Sequence, residues 1–442
     1  MRILYLVYDI LLILAVPLLV PFYLLRYLRR GKLRRGVGER LGFLSREKEL
    51  LFAGRDTIWV HAVSVGETMA ARPLLKALKS RYPAHAIVLS TVTETGQGIG
   101  ESIRDVDLCI YFPFDLSLSV KRMLKTVRPS LIVVVETEIW PNFLRIARRL
   151  DIPVVLANGR ISDKSFVGYR RFSRVFRSVL PNFSALCMQT DEDARRIVAI
   201  GAPSSRVSVT KNLKYDLPAR IASDETRSEL RINYRIPPHM PVITAGSTHQ
   251  GEEESLLTAY QALIAEGRDI FLVLAPRHPE RAWEVSALLE GMGISCVRRS
   301  ALEVGPVAFR GGEVLLVDCV GELMGIYSFS DIVFVGGSLV PVGGHNLLEP
   351  ASVGVPVLFG PHMNNFREIA SKILSSKAGI QVSEASQLPA SIRTLLDDPA
   401  ARAEMGTNGA RLLMENRGAT ERHMEIIAPY LPEKPSCRGP RE

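Results

Sequence analysis

From Thr57 onward, short uninterrupted apolar runs alternate with polar-apolar stretches of helical length, and no other feature restricts the fold as strongly. The first set is TIWVHAV (57–63), AIVLST (86–91), LCIYF (108–112), LIVVV (131–135), PVVLA (153–157) and ALCMQ (185–189). A strand with one wet face alternates apolar and polar side chains. A run that is apolar at every position belongs to a parallel sheet covered by helices on both faces. Residues 216–240 break the rhythm with a charged stretch that ends near the pair Pro237-Pro238. The alternation then restarts with VITAG (242–246), IFLVLA (270–275), ISCV (294–297), EVLLV (313–317), IVFVGG (332–337) and VPVLF (355–359). A chain of 442 residues is too long for one ordinary core. It reads as two doubly wound α/β domains of similar size, 50–215 and 241–428. A linker at 216–240 joins them, residues 1–49 precede them, and a polar tail, 429–442, follows.

Open α/β sheets bind ligands beyond the carboxyl ends of their strands, so the residues after each run carry the functional information. After the first run, SVGE places Glu67 where a helix begins. There it is either a carboxylate serving the helix dipole or a base aimed at a substrate, and the dipole favours its ionised form. After LIVVV comes ETEIWPN, with Glu136 and Glu138. STHQGEEE follows VITAG. PRHPER follows IFLVLA and brings Arg277, suited to bidentate phosphate contact, with Arg281 about one turn further at the surface. DCVGELMGIY follows EVLLV, and SLVPVGGHNLLEP follows IVFVGG. In that last loop, glycines allow backbone N–H groups to approach a phosphate and Asn346 can cap the next helix. Glu349 is placed to accept from ribose hydroxyls, and His345 reads as a core or capping histidine. Lys214, in LKYD, lies near the domain junction. Six strand ends this dense in Gly, Arg, His and carboxylates imply one long active-site cleft between two facing domains.

Other classes are excluded by what is missing. There is no GxxxxGK[ST], no GxGxxG after the first strand and no GxSxG. Asp105/Asp107 and Asp191/Asp193 are not at strand ends and read as structural. The five cysteines form no CxxC or Cys/His cluster, which argues a reducing compartment and no structural zinc. Most of the net charge of +9 comes from Arg26–Glu49, where nine Lys/Arg face three Glu. That cluster follows an apolar segment, ILYLVYDILLILAVPLLVPFYLL (3–25). Despite Asp9, Pro17 and Pro21, the segment reads as a membrane anchor, with its basic flank on the cytoplasmic side and near anionic lipid headgroups. A basic patch without interleaved aromatics or a nucleic-acid motif gives no support for nucleic acid as partner.

Taken in order, HAVSVGE, VETEIWP, GSTHQGEEE, PRHPER, GELMGIY and GGSLVPVGGHNLLEP resemble the bacterial 3-deoxy-D-manno-oct-2-ulosonic acid (Kdo) transferases, glycosyltransferases of the GT-B type. The resemblance spans nearly the whole chain. It implies two Rossmann-like domains, CMP-Kdo as donor, and as acceptor the lipid A precursor lipid IVA at the bacterial inner membrane. It implies Glu67 as general base, with Glu136 and Lys214 stabilising the transition state. Pro276, Arg277, Gly321, Glu322, Leu323, Asn346, Leu347, Leu348 and Glu349 match the CMP-binding segments. An attacking hydroxyl and a departing phosphate on opposite faces of the sugar imply inversion. A single leaving phosphate met by Arg277, Lys214 and the helix that begins near Asn346 calls for no metal or other cofactor. Two alternatives remain open at this point: a nucleotide-sugar 2-epimerase of the same architecture, and a non-catalytic membrane-tethered binding protein. The motifs do not encode how many Kdo residues are added, since acceptor-site shape decides that.

Overall fold

The computed structural model describes residues 5, 7–14, 36–217, 221–303, 309 and 312–431. The chain divides into two units. Unit 1 comprises Met1–Asp216 and Arg417–Glu442, and unit 2 comprises Leu217–Asn416.

Unit 1 is built on seven parallel strands: β1 Thr57–His61, β2 Ala86–Thr91, β3 Leu108–Tyr111, β4 Pro129–Val135, β5 Val154–Gly159, β6 Ala185–Met188 and β7 Val207–Val209. Their order is β3-β2-β1-β4-β5-β6-β7, so the winding reverses between β1 and β4. Successive side chains of β1 enter different cores: Trp59 packs on one face with Phe112 and Phe143, and Ile58 and Val60 pack on the other with Leu74, Leu75 and Leu78. That double burial explains the unbroken apolar runs. The six runs of the first half are all strands. The seventh strand, VSV, is short and only partly covered, so it carried no apolar signal.

Unit 2 repeats the plan with β8 Val242–Thr248, β9 Phe271–Pro276, β10 Cys296–Arg298, β11 Val314–Leu316, β12 Ile332–Val335, β13 Val357–Phe359 and β14 Gly379–Gln381. The order is β10-β11-β9-β8-β12-β13-β14, and the reversal falls between β8 and β12. The helix Asp224–Asn233, inside the stretch read as a linker, is part of this unit.

The chain's end differs from the division at 428. It re-enters unit 1 at Arg417. The helix Ala419–Ile427 buries Ala419, Met424 and Ile427 in the same core as Leu74 and Leu213. Asp216, the last residue of the first segment, accepts from the N–H groups of Gly418, Ala419 and Thr420 and caps this returning helix.

At the other end, residues 7–14 are helical and Tyr5 is buried in the first core. Asp9 accepts from Ser117 Oγ and from Asn142 Nδ2 at 2.7 Å, and Tyr8 donates to Asp115 at 3.1 Å. Val7, Ile10, Leu11, Ile13 and Leu14 are exposed. Among the described residues no helix is long and apolar enough to cross a membrane. The rest of the apolar segment, 15–25, lies outside them, as do most of the basic flank and residues 432–442.

Candidate active site

The reversal point of unit 1 brings together the carboxyl ends of β1 and β4. Ser64 caps the helix Val65–Arg81, and Glu67 closes the box from its side. The Val63 N–H donates to Glu67 Oε2 at 2.6 Å, and Ser64 Oγ donates to Oε1 at 2.9 Å. Glu67 thus does the local capping job. Burial, and then the charge of Glu136, nevertheless push its carboxyl up to about 7, and the two capping bonds do not offset this. The helix dipole favours the ionised form, but loss of water is the larger effect here.

Glu136 follows β4 with φ of 59°, left-handed for a residue with a side chain. Strain of this kind persists only where the surroundings over-determine it. Its Oε1 lies 3.5 Å from Lys214 Nζ. Glu138 is pushed up to about 7 by burial and then by Glu67 and Glu136. Glu138 feels the charge of Glu67, so these two carboxyls do not titrate independently.

Lys214 owes its position to residues the sequence reading passed over. Asn158, also left-handed at φ 57°, accepts the Leu213 N–H at 3.0 Å. Asn212 accepts the Lys214 N–H at 3.0 Å and donates to Gln189. His423, from the returning helix, accepts the Asn158 N–H at 3.0 Å. Gln189 and Asn212 follow closely on β6 and β7 and Asn158 follows the apolar run of β5, so the same rule could have picked them out. Nothing in the sequence links His423 to a position 265 residues away. Asp107 is held by Arg55 and Lys79, and the Asp193 carboxylate accepts from the Ile161 N–H and from Thr190 Oγ, so both brace the fold.

In unit 2 the reversal point joins the ends of β8 and β12. Gly336 must be glycine there, since a Cβ would stand 2.4 Å from the Ser247 carbonyl oxygen. The N–H groups of the loop that follows do not await a phosphate. Those of Gly337, Ser338 and Leu339 donate at 2.7, 2.9 and 2.8 Å to Glu252, which is fully buried and also accepts from the His249 N–H. Gly337, Ser338 and Leu339 therefore grip an internal carboxylate instead of a ligand, and the Gly336 N–H is taken by the Gly246 carbonyl.

The other donor-side positions are spread around this point. Pro276 ends β9 and is buried, while Arg277 and His278 after it are exposed. Arg281 is not a free surface cation; it pairs with buried Glu253 at 2.8 Å. Gly321 adopts φ 95°, and Glu322 accepts from Tyr234 and Arg299, both at 2.7 Å, ahead of the helix Leu323–Phe329. Asn346 Oδ1 accepts the Leu348 N–H at 3.1 Å and its amide donates to Glu349. Leu347 and Leu348 are fully buried, so only their backbones are available to a ligand. Burial raises the pKa of Glu349. The helix here, Leu348–Ser352, is barely more than one turn, so its dipole is weaker than the loop's length suggested.

His345, read from the sequence as a core or capping histidine, is paired with His249, to which the sequence assigned no role. Their ring planes are nearly parallel, at 7°, with centroids 5.1 Å apart and Nε2 to Nε2 at 2.8 Å, so the rings meet edge to edge. His278 stands edge-on to His249 at 6.0 Å.

Residues 35–217 match the family described as 3-deoxy-D-manno-octulosonic-acid transferase (kdotransferase). A 3-deoxy-D-manno-octulosonic acid transferase of Haemophilus influenzae is 35% identical over 426 residues, 96% of this chain and 98% of the relative. This chain belongs to the Kdo transferase family. A Bordetella pertussis member is 32% identical over 85% of this chain and 87% of its own length. A solved glycosyltransferase from Rickettsia africae covers 85% of this chain and 99% of its own with a TM-score of 0.54 at 14% identity, a likeness of fold alone. Membership makes the protein a glycosyltransferase, and the two parallel-sheet units are the GT-B architecture.

Proposed function

We propose that this Kdo transferase takes Kdo from CMP-Kdo and attaches it, with inversion, to a hydroxyl of a lipid IVA-type acceptor in lipopolysaccharide biosynthesis. Glu67 removes the acceptor proton. Glu136 and Lys214 stabilise charge in the transition state. Pro276, Arg277, the Gly321-Glu322-Leu323 turn and Asn346–Glu349 hold CMP. Arg277 and Lys214 meet the charge of the leaving phosphate, so transfer needs no divalent metal. The observation that carries this reading is a carboxyl with a pKa of about 7 at the β1/β4 reversal point, where a general base works best near neutral pH.

The protein acts at the cytoplasmic face of the inner membrane, held by its apolar N-terminus and basic flank. Support comes from the exposed apolar side chains of residues 7–14, on a helix whose Asp9 is tied down to unit 1.

Mass analysis of acceptor incubated with CMP-Kdo tests the reaction, with a product heavier by one or more Kdo units expected, in EDTA as well as without it. Glu67→Gln keeps the size and hydrogen bonds of the side chain and removes the base. Turnover should fall about 10²–10⁴-fold with CMP affinity nearly unchanged. Turnover within a few-fold of wild type transfers the role to Glu136 or Glu138.

A further inference from the structure

We propose that His249 and His345 act as one proton-sharing pair that receives the phosphate anion of the donor nucleotide and gains a proton as the anion binds. The proposal rests on reading unit 2 as the donor site and adds residues to it that the CMP-binding segments above do not include.

The two rings come from opposite sides of the reversal point, His249 after β8 and His345 in the loop after β12. An Nε2···Nε2 distance of 2.8 Å requires one ring to carry its hydrogen on Nε2 and the other on Nδ1. The neutral pair therefore presents one Nδ1 that donates and one that accepts. Neither Nδ1 has a hydrogen-bond partner among the described residues, and neither is sealed off from solvent.

The charged groups around the pair are nearly all cationic or already engaged. Arg277 and Arg281 face it from the strand end and turn after β9, with the His278 ring edge-on to His249. On its own side, Glu252 is occupied by four backbone N–H groups and Glu253 by Arg281. Glu349 is bonded to Asn346. Burial, with this positive field behind it, keeps both imidazoles neutral in the empty site, His345 down to about 4. An incoming phosphate reverses the sign of the field. A solvent proton then adds to the accepting Nδ1. The Nε2–H···Nε2 bond survives, now charge-assisted, and both Nδ1 atoms become donors. No other bond changes.

Calorimetric titration of the full chain with CMP at pH 7.5, in two buffers of different ionisation enthalpy, reads the proton count directly. Wild type should take up a measurable fraction of a proton per CMP, since a neighbouring opposite charge raises a pKa by about 1–3, and cytidine, which lacks the phosphate, should cause no uptake. His249→Gln and His345→Gln should each abolish the uptake and weaken CMP binding about tenfold. CMP binding by wild type without uptake overturns the pair's role, and so does uptake that persists in both variants. Uptake lost only in His278→Gln moves the role to that ring and overturns it as well. Failure of the folded wild type to bind CMP at all overturns the donor reading itself, a separate result.

Discussion

Glu67 shows how one carboxylate can serve both of the roles its position suggests. It closes a capping box, and it stands with Glu136 and Glu138 where burial keeps it half-protonated near neutrality. Ionised Glu67 is the active form, so the rate should climb as pH rises through about 7 and level off above it. Glu138→Gln removes one neighbouring negative charge and should move that climb to lower pH, which the pH dependence of kcat/KM will show. Buried histidines act in the opposite direction on stability. His61 is held down to about 3 and His423 to about 4, chiefly by burial. The unfolded chain binds these protons near pH 6.5 and the folded chain does not. Stability from both is therefore intact above about 6.5 and is lost as pH falls toward 4. In unit 1 the carboxyls of Glu67, Glu138 and Asp115, each pushed up to about 7 chiefly by burial, act the other way between pH 7.5 and 5. The histidine contribution is therefore read as the difference in pH dependence of unfolding between wild type and His61→Asn, with wild type losing more on acidification.

At the level of elements, the loop after β12 is organised by Glu252 from the neighbouring loop, not by a ligand. Glu252→Ala strands four backbone N–H donors, at least three of them held only by this carboxylate. At about 1–3 kcal/mol for each unsatisfied group, unit 2 should lose several kcal/mol of stability in urea unfolding. Glu252→Gln, which keeps one acceptor oxygen, should lose less. Equal losses for Ala and Gln would show that shape alone, and not the accepting oxygens, holds the loop. The short helix Leu348–Ser352 and the buried side chains of Leu347 and Leu348 leave backbone groups as this segment's means of touching a nucleotide.

Across the whole molecule, the chain leaves unit 1 at Asp216 and returns at Arg417, so the last helix is a piece of the first core. Truncation after Asn416 removes Ala419, Met424 and Ile427 from contact with Leu74 and Leu213, and takes His423 from Asn158. It should destabilise unit 1 and disturb Lys214, while unit 2 unfolds as before; two resolved thermal transitions, with only one shifted, would show this. Asp216→Ala is the milder version, with about 1 kcal/mol expected for a lost cap. Deleting residues 1–25 should leave both sheets folded and reduce binding to anionic vesicles. It also forfeits the contacts of Tyr5, Tyr8 and Asp9, so a small fall in melting temperature accompanies it.

The sequence by itself determined two parallel sheets, because a strand buried on both faces has no polar alternate positions, and β1 with Ile58, Trp59 and Val60 shows it. It also determined which residues stand at the strand ends, Glu67, Glu136 and Arg277 among them, since the chain order of a strand and its following turn is local. Tertiary structure alone decided the rest. Whether Glu67 is acidic or near neutral depends on water lost to neighbours that arrive from β4, not on its own helix. Whether a glycine-rich loop is an empty anion cradle depends on a carboxylate 85 residues earlier that fills it. The pairing of His249 with His345, and the support of Asn158 by His423, join positions 96 and 265 residues apart. Such contacts follow from strand order in the sheet and from where the chain re-enters a core, and no local pattern of residues records either.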